Sequence, residues 1–334
     1  MQQSTWIDLA PAGSPVVEAA GDAHRWVASQ LEPRQAVVPL DDGAMEELSW
    51  MVEALRARPL PRLLRSPDEF ALPRLRAVFA VLRTLLDEKP GFAVLDALPL
   101  DQLDVDEAVT VFWVLGQLIG RTVAQKWDGT MLYDVRDTGQ AFGYGVRGSY
   151  TNVELVFHTD NAFGVAPPQY VGLLCLRPAK HGGISRFMSA HALHDRLLAE
   201  NPAALARLYQ PLLLDRQAEH APGAARVARA PMFERDGDGR LRVRANTNLV
   251  RKGYAVAGVE IDAEAVAAIA AVEALTEDPS LWVELPIERG QLQYLNNNDL
   301  LHFRSAFEDH DDPAMRRHLV RTWHRSGGQR AYDG

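Results

Sequence analysis

The stretch Val156-Phe-His-Thr-Asp160 closes a short apolar run with a histidine and a carboxylate two positions apart. Side chains alternate along an extended strand, so His158 and Asp160 project from the same face, about 6–7 Å apart along the backbone. An imidazole and a carboxylate at one strand end hold two neighbouring positions on a metal ion. A hydrogen-bonded histidine at the rim of a strand also fits the pattern. A second His-x-Asp sequence, His310-Asp-Asp312, lies in a charged loop and favours solvated surface.

Downstream of residue 150, short apolar runs alternate with turn clusters, which is typical of a β-sandwich or jelly roll. The turns include His181-Gly-Gly183 and Asp236-Gly-Asp-Gly239, and the second favours a hairpin over a calcium loop. The apolar runs are Glu154–Phe157, Tyr170–Leu176, Ile184–Met188, Leu241–Val243, Trp282–Leu285, Leu292–Leu295 and Leu319–Trp323. The fold class predicted is mainly β with flanking helices, in one jelly-roll domain.

The first ninety residues instead show the three-to-four spacing of amphipathic helices, in Ala44–Arg56 and Leu75–Leu86. We therefore expect residues 1–90 to form a helical region packed on the core. Residues 91–325 form the β domain with helical insertions, and 326–334 form a C-terminal tail.

Composition excludes several classes of protein. The 334 residues include 35 lysines and arginines against 44 acidic residues, a net charge of −9 that disfavours nucleic acid as a partner. Cys175 is the single cysteine, so no internal disulfide forms, and its apolar surroundings indicate a core residue. No secretory signal or membrane-length apolar stretch is evident, and a cytoplasmic protein is expected. Ten histidines beside one cysteine point to nitrogen and oxygen as metal ligands.

A third metal ligand is available in Leu300-Leu-His302, where a polar asparagine run separates apolar strands. Nineteen residues later, Arg321 lies within the strand-like run His318-Leu-Val-Arg-Thr-Trp323. A strand of this kind rarely buries an arginine without an anion, so Arg321 either clamps a carboxylate or forms a structural salt bridge. By contrast, His191 and His194, three residues apart on a predicted helix, are expected to be exposed.

Taken together, these residues resemble the Fe(II)/2-oxoglutarate-dependent oxygenases of the taurine dioxygenase type, in the clavaminate synthase-like superfamily. The resemblance covers roughly residues 90–325. It is carried, in the family's order, by Gly91-Phe-Ala-Val-Leu95, Thr151–Asn161, Pro167–Pro178, Gly182-Gly-Ile-Ser-Arg186, Asn296–Asp309 and Arg316-Arg-His-Leu-Val-Arg-Thr-Trp323.

The resemblance implies a double-stranded β-helix, the jelly roll of the clavaminate synthase-like proteins. It places His158, Asp160 and His302 on the iron ligands. It places Arg321 on the arginine that binds the distal (C5) carboxylate of 2-oxoglutarate, with Arg317 as the alternative anchor if the register differs. Ser185 falls where the family usually has a threonine that supports the same carboxylate.

The activity implied is oxidative decarboxylation of 2-oxoglutarate to succinate and CO2, coupled to hydroxylation or a related C–H oxidation of a small organic substrate. Fe(2+) and 2-oxoglutarate are the expected cofactors. The expected partners are the substrate and O2, without nucleic acid or membrane, and a homo-oligomer is left open. Candidate substrate residues are Tyr144, Asn152, Asn161, Phe163 and Arg304. The alternatives are a non-catalytic jelly-roll binding protein and a metal-dependent hydrolase.

Overall fold

Two β-sheets face each other in the computed structural model, which describes residues 6–11, 17–21, 23–140 and 147–333. Within these residues the helices are α1 (Asp42–Ala57), α2 (Pro73–Asp87), α3 (Val105–Gly116), α4 (Ala190–Glu200), α5 (Pro202–Leu208), α6 (Thr247–Ala257) and α7 (Ala263–Thr276). Short 3-10 turns lie at Ala28–Gln30, Pro33–Ala36, Arg62–Leu64, Pro67–Glu69, Gly148–Tyr150 and Pro313–Met315.

The strands alternate with these helices along the chain. They are β1 (Trp6–Asp8), β2 (Val37–Pro39), β3 (Phe92–Asp96), β4 (Arg121–Val123), β5 (Tyr133–Val135), β6 (Leu155–His158), β7 (Tyr170–Arg177), β8 (His181–Gly182), β9 (Ser185–Ser189), β10 (Leu212–Asp215), β11 (Val227–Ala230), β12 (Phe233–Arg235), β13 (Leu241–Val243), β14 (Trp282–Leu285), β15 (Leu292–Asn296), β16 (Leu300–Arg304), β17 (Phe307–Glu308) and β18 (His318–Arg325).

The larger sheet has the order β2-β3-β15-β7-β18-β4, and β5 also pairs with β18. The smaller sheet has the order β14-β9-β16-β6. Alternate residues of both sheets meet in one apolar cluster between them, where the rings of Phe92 and Phe187 stack with centroids 4.4 Å apart. The expected jelly roll is therefore confirmed, and its two inner faces enclose the space in which polar residues can form a site.

Helices cover the outer face of the larger sheet. Helix α2 buries Leu75, Phe79, Leu82 and Leu86, which its three-to-four spacing places on one side. The buried residues of α1, α2 and α3 pack together on the outward-facing residues of β3, β7 and β15, among them Tyr294. Each buried aliphatic or aromatic side chain contributes about 1.5–3 kcal/mol to this packing.

A long insertion between β9 and β14 covers the outer face of the smaller sheet. It contains α4–α7 and β10–β13, and its apolar residues pack against Phe157, Met188, Leu301 and Phe303. Because this face is covered, the strands that carry the site are buried on both sides.

The region 1–90 is less purely helical than expected. Strand β1 pairs in parallel with β11, and β2 pairs in parallel with β3 at the edge of the larger sheet. Three-residue strands are too short to show a period, so the sequence pattern did not reveal them.

The segment after residue 325 packs on the domain. Ala124 donates a backbone hydrogen bond to Arg330, and Arg325 forms an ion pair with Asp333. The hairpin expected at Asp236–Gly239 is present, since β12 and β13 pair in antiparallel on either side of it. No helix in the described part of the chain is long and apolar enough to cross a membrane.

Candidate active site

The smaller sheet brings two histidines side by side. Strand β6 ends at His158 and pairs in antiparallel with β16, where His302 lies directly opposite His158. Their ring centroids are 4.2 Å apart, and the Nε2 atom of each lies 3.6 Å from Oδ1 of Asp160. Three ligand atoms thus converge, as a metal bonded at about 2.0–2.2 Å to each requires.

Hydrogen bonds orient these groups toward the metal position. Nδ1 of His158 donates to the carbonyl oxygen of Val156 at 2.8 Å, which in the neutral ring directs the lone pair of Nε2 toward the metal position. The backbone of Asp160 is held on both sides by the side-chain amide of Asn297, at 2.7 and 3.0 Å.

The second oxygen of Asp160 is occupied by two donors. Nε1 of Trp323 donates to Oδ2 at 2.7 Å, and Nη1 of Arg321 lies 3.0 Å from the same atom. These contacts fix the carboxylate plane and leave Oδ1 facing the two imidazoles.

Charge at the site suits a cation. Burial would raise the pKa of Asp160, but the Arg321 guanidinium and the two imidazoles hold that pKa well below its usual range. Burial, together with His158, lowers the pKa of His302 to about 4. An ionised carboxylate and a neutral imidazole are the protonation states that ligate a metal at neutral pH.

Two cavities meet at this triad. The outer cavity, about 140 Å³, lies on the side of Phe163, Asn246 and Lys252. The inner cavity, about 60 Å³, extends between the two sheets toward Ser185, Gln293 and Arg317. His158, Asp160 and Arg321 line both. A metal at the triad is therefore open to one molecule from each side.

The inner cavity ends in cationic and polar groups. Arg317 is 5% exposed, its Nη1 has no hydrogen-bond partner, and burial lowers its pKa to about 10. Ser185 donates to the side-chain oxygen of Gln293 at 3.0 Å, and the amide nitrogen of Gln293 has no partner. Arg304 is also buried there, with Nε and Nη1 unpartnered. Buried donors without acceptors are costly, so this end is suited to an anion.

Arg321, predicted to anchor the distal carboxylate, lies beside the metal-facing carboxylate. Its guanidinium contacts the metal-facing Asp160, and its Nε donates to the side chain of Gln125 at 2.8 Å. Arg317 is four residues earlier on the same inward face of the chain, about 13 Å away along an extended strand. Arg317 and Ser185 both line the inner cavity, and Arg317 does not line the outer one.

The remaining candidates divide by position. Asn161 and Phe163 line the outer cavity, and Arg304 lines the inner one. Asn152 is exposed and lines neither cavity, and Tyr144 lies outside the described residues.

Sequence analysis missed Trp323, Asn297, Gln125 and Gln293 as functional residues. Gln293 carried a local signal because it interrupts an apolar strand, and Asn297 carried one because it belongs to a polar run between two strands.

The expectation that His191 and His194 are exposed was wrong. Both are buried, with His191 bonded to Asp299 at 3.0 Å and His194 to Tyr209 at 2.9 Å. Packing of α4 between the sheet and α5 and α7 explains their burial. Cys175 is buried as expected, and burial raises its pKa to about 12, so it stays a thiol.

Comparison with known proteins agrees with this geometry. The family described as "Taurine catabolism dioxygenase TauD, TfdA family" matches residues 56–323. FR-33289 synthase of Streptomyces rubellomurinus (strain ATCC 31215) is 30% identical over 306 residues, which are 89% of this chain and 88% of the synthase.

Two solved structures show the same fold. Asparagine oxygenase in complex with Fe(II), 2S,3S-3-hydroxyasparagine and succinate has a TM-score of 0.66 at 19% identity, covering 87% of this chain and 94% of that one. The non-heme iron oxygenase OrfP in complex with Fe and alpha-ketoglutaric acid has a TM-score of 0.62 at 17% identity, with the same coverage. The span of the family match shows that the chain belongs to the TauD/TfdA dioxygenase family, and it is an oxygenase that depends on Fe(II) and 2-oxoglutarate.

Proposed function

We propose that His158, Asp160 and His302 hold the iron, and that the enzyme hydroxylates a small polar molecule bound in the outer cavity. The observation that carries this proposal is the convergence of the three ligand atoms where two cavities meet. When bound, iron and 2-oxoglutarate supply the oxidising chemistry, with release of succinate and CO2. The protein supplies the ligand set, the orientation of both small molecules and the exclusion of bulk water.

Arg317 is the anchor proposed for the distal carboxylate of 2-oxoglutarate. Its free Nη1, its burial and the neighbouring Ser185 hydroxyl support this assignment. Arg321 has a different role in the proposal, because the metal-facing carboxylate already engages it. There it orients Asp160 and presents its guanidinium to the outer cavity.

The lining of the outer cavity supports a polar substrate. Its described residues combine side-chain amides, cations and a few apolar walls: Asn161, Gln217, Asn246, Asn248, Arg147, Lys252, Leu155, Phe163 and Leu249. Amides and cations of this kind favour small molecules that carry carboxylate, phosphoryl, sulfonate or amide groups. A cytoplasmic location remains part of the proposal, and the single cysteine, Cys175, is a buried thiol.

Anaerobic mixing of the protein with Fe(II) and 2-oxoglutarate tests the cofactor site. We expect a visible metal-to-ligand charge-transfer band that needs all three components. Its absence would favour the non-catalytic binding protein. Admission of O2 with a panel of small carboxylates, phosphates, sulfonates and amino acids then identifies the substrate by stimulated succinate release. Conversion of a substrate without O2 would instead indicate a hydrolase.

A further inference from the structure

Strand β16 carries two inward polar residues, one at each end of the inner cavity. His302 and Arg304 are two residues apart and both line the inner cavity, although the pairing with β6 shifts register between them. They lie about 6.6 Å apart along the strand. Across the sheet, Phe187 pairs with His302, whereas Ser185 pairs with Arg304. Arg304 therefore belongs to the end of the cavity where Arg317 and Ser185 lie.

Arg304 is buried without an ion-pair partner among the described residues. It is 7% exposed, and no described carboxylate forms an ion pair with its guanidinium or with that of Arg317. The nearby carboxylate of Asp309 accepts from the backbone nitrogen of Arg317 at 2.7 Å. Its Nη2 donates to the backbone oxygens of Thr151 and Val153, but Nε and Nη1 have no acceptor. The ring of Phe307 lies 4.8 Å from the Arg304 guanidinium carbon and 4.9 Å from that of Arg317. Contact with an aromatic face compensates only part of the cost of burying two cations.

The two buried guanidinium groups together have three nitrogen donors without an acceptor, more donors than a single arginine anchor would offer. A carboxylate has two oxygens and about four acceptor positions, so it can accept from both arginines and from Ser185 at once. A methyl group in the same place would leave all these donors unpaired. We therefore expect an oxo acid with a second, distal carboxylate to bind more tightly than one that lacks it.

Resting on the proposed place of 2-oxoglutarate, we propose that Arg304 is a second cation of the co-substrate pocket. Together with Arg317 it selects a 2-oxo acid that carries a distal carboxylate. The alternative is a purely structural role, in which Arg304 only holds the carbonyl groups of Thr151 and Val153.

Calorimetric binding of 2-oxoglutarate and 2-oxopentanoate to the Zn(II)-loaded, substrate-free protein separates the two roles. The two oxo acids have the same carbon chain, but the second ends in a methyl group. Arg304→Gln keeps donors for the two carbonyl groups and removes the charge, whereas Arg304→Lys keeps the charge. We expect the preference of the wild type for 2-oxoglutarate to fall about tenfold in Arg304→Gln and to return largely in Arg304→Lys.

Arg186→Gln is the matched control, because Arg186 is on the neighbouring strand β9 but pairs with Glu284 and packs on Trp282 outside the cavity. It should leave the preference unchanged. If the Arg304 variants weaken the binding of both oxo acids equally, or of neither, the proposal is overturned. Thermal unfolding of each variant reports the structural contribution of Arg304. A wild-type protein that binds zinc but neither oxo acid overturns the proposed co-substrate site itself.

Discussion

The indole nitrogen of Trp323 donates a 2.7 Å hydrogen bond to Oδ2 of Asp160 from the opposite sheet. This bond joins the larger sheet to a residue that follows β6 of the smaller sheet, at the point where the proposed iron ligands converge. It also fixes which oxygen of Asp160 faces the imidazoles.

Trp323→Phe should keep the packing and remove this bond. Outer hydrogen bonds to metal ligands typically change metal affinity by 10–100-fold, so we expect about tenfold weaker binding of Mn(II) or Co(II) in calorimetry. Trp282→Phe is the control, because the indole nitrogen of Trp282 has no partner. Equal metal affinities in the two variants would show that the bond does not position Asp160.

Asp160→Ala should reduce substrate-stimulated succinate release by more than about 100-fold, because the site loses its only anionic ligand among the described residues. The ferrous charge-transfer band should weaken in parallel. Asp134→Ala removes a carboxylate that pairs with His318 at 2.7 Å on the outside of β18, and should retain activity. Near wild-type turnover of Asp160→Ala would remove Asp160 from the ligand set.

Arg317→Met should weaken the binding of 2-oxoglutarate, whereas Arg321→Met should weaken the binding of the metal. Loss of a buried charged partner costs several kcal/mol, so Arg317→Met should raise the Kd for 2-oxoglutarate about 100-fold. Arg321→Met should change that Kd by less than about threefold, while weakening metal binding through Asp160. Titration of the charge-transfer band measures both. The reverse pattern would assign the distal carboxylate to Arg321.

Stability should fall as the pH falls through the histidine range. Burial lowers the pKa of His324 from 6.5 to about 4, and its ring is bonded to Thr322 at 2.8 Å and Gly120 at 3.1 Å. Between these pH values the unfolded chain binds a proton that the folded chain excludes, so stability rises with pH and is lost toward pH 4. At pH 5 this single group costs about 2 kcal/mol relative to pH 7.5.

Urea unfolding of metal-free protein at pH 7.5 and 5 measures this loss. In His324→Gln the free energy of unfolding should fall less between the two pH values than in the wild type, whatever its absolute stability. His181→Gln, at an exposed position, should show the wild-type difference. An unchanged difference in His324→Gln would mean that His324 does not contribute.

Sequence periodicity was sufficient to predict the jelly roll and to predict that His158 and Asp160 share one face. It could not choose between Arg317 and Arg321, because residues four apart on a strand point the same way. Strand pairing decides which of them lies beside Asp160 and which beside Ser185, and pairing is a property of the fold. The roles of Asn297 and Trp323 could not be predicted either, because their partner Asp160 is more than a hundred residues away in the sequence and only the fold brings them together.

Strand β18 pairs with β7 on one side and with β4 and β5 on the other, and it carries Arg321 and Trp323 on its inner face just after Arg317. A one-residue insertion or deletion between Arg317 and Trp323 would reverse the facing of every residue beyond it. An added residue would need a bulge to absorb it, such as the register shift between β18 and β7 at His318 and Leu319. The placement of Arg321 and Trp323 beside Asp160 thus depends on unbroken alternation along β18 from Leu319 onward.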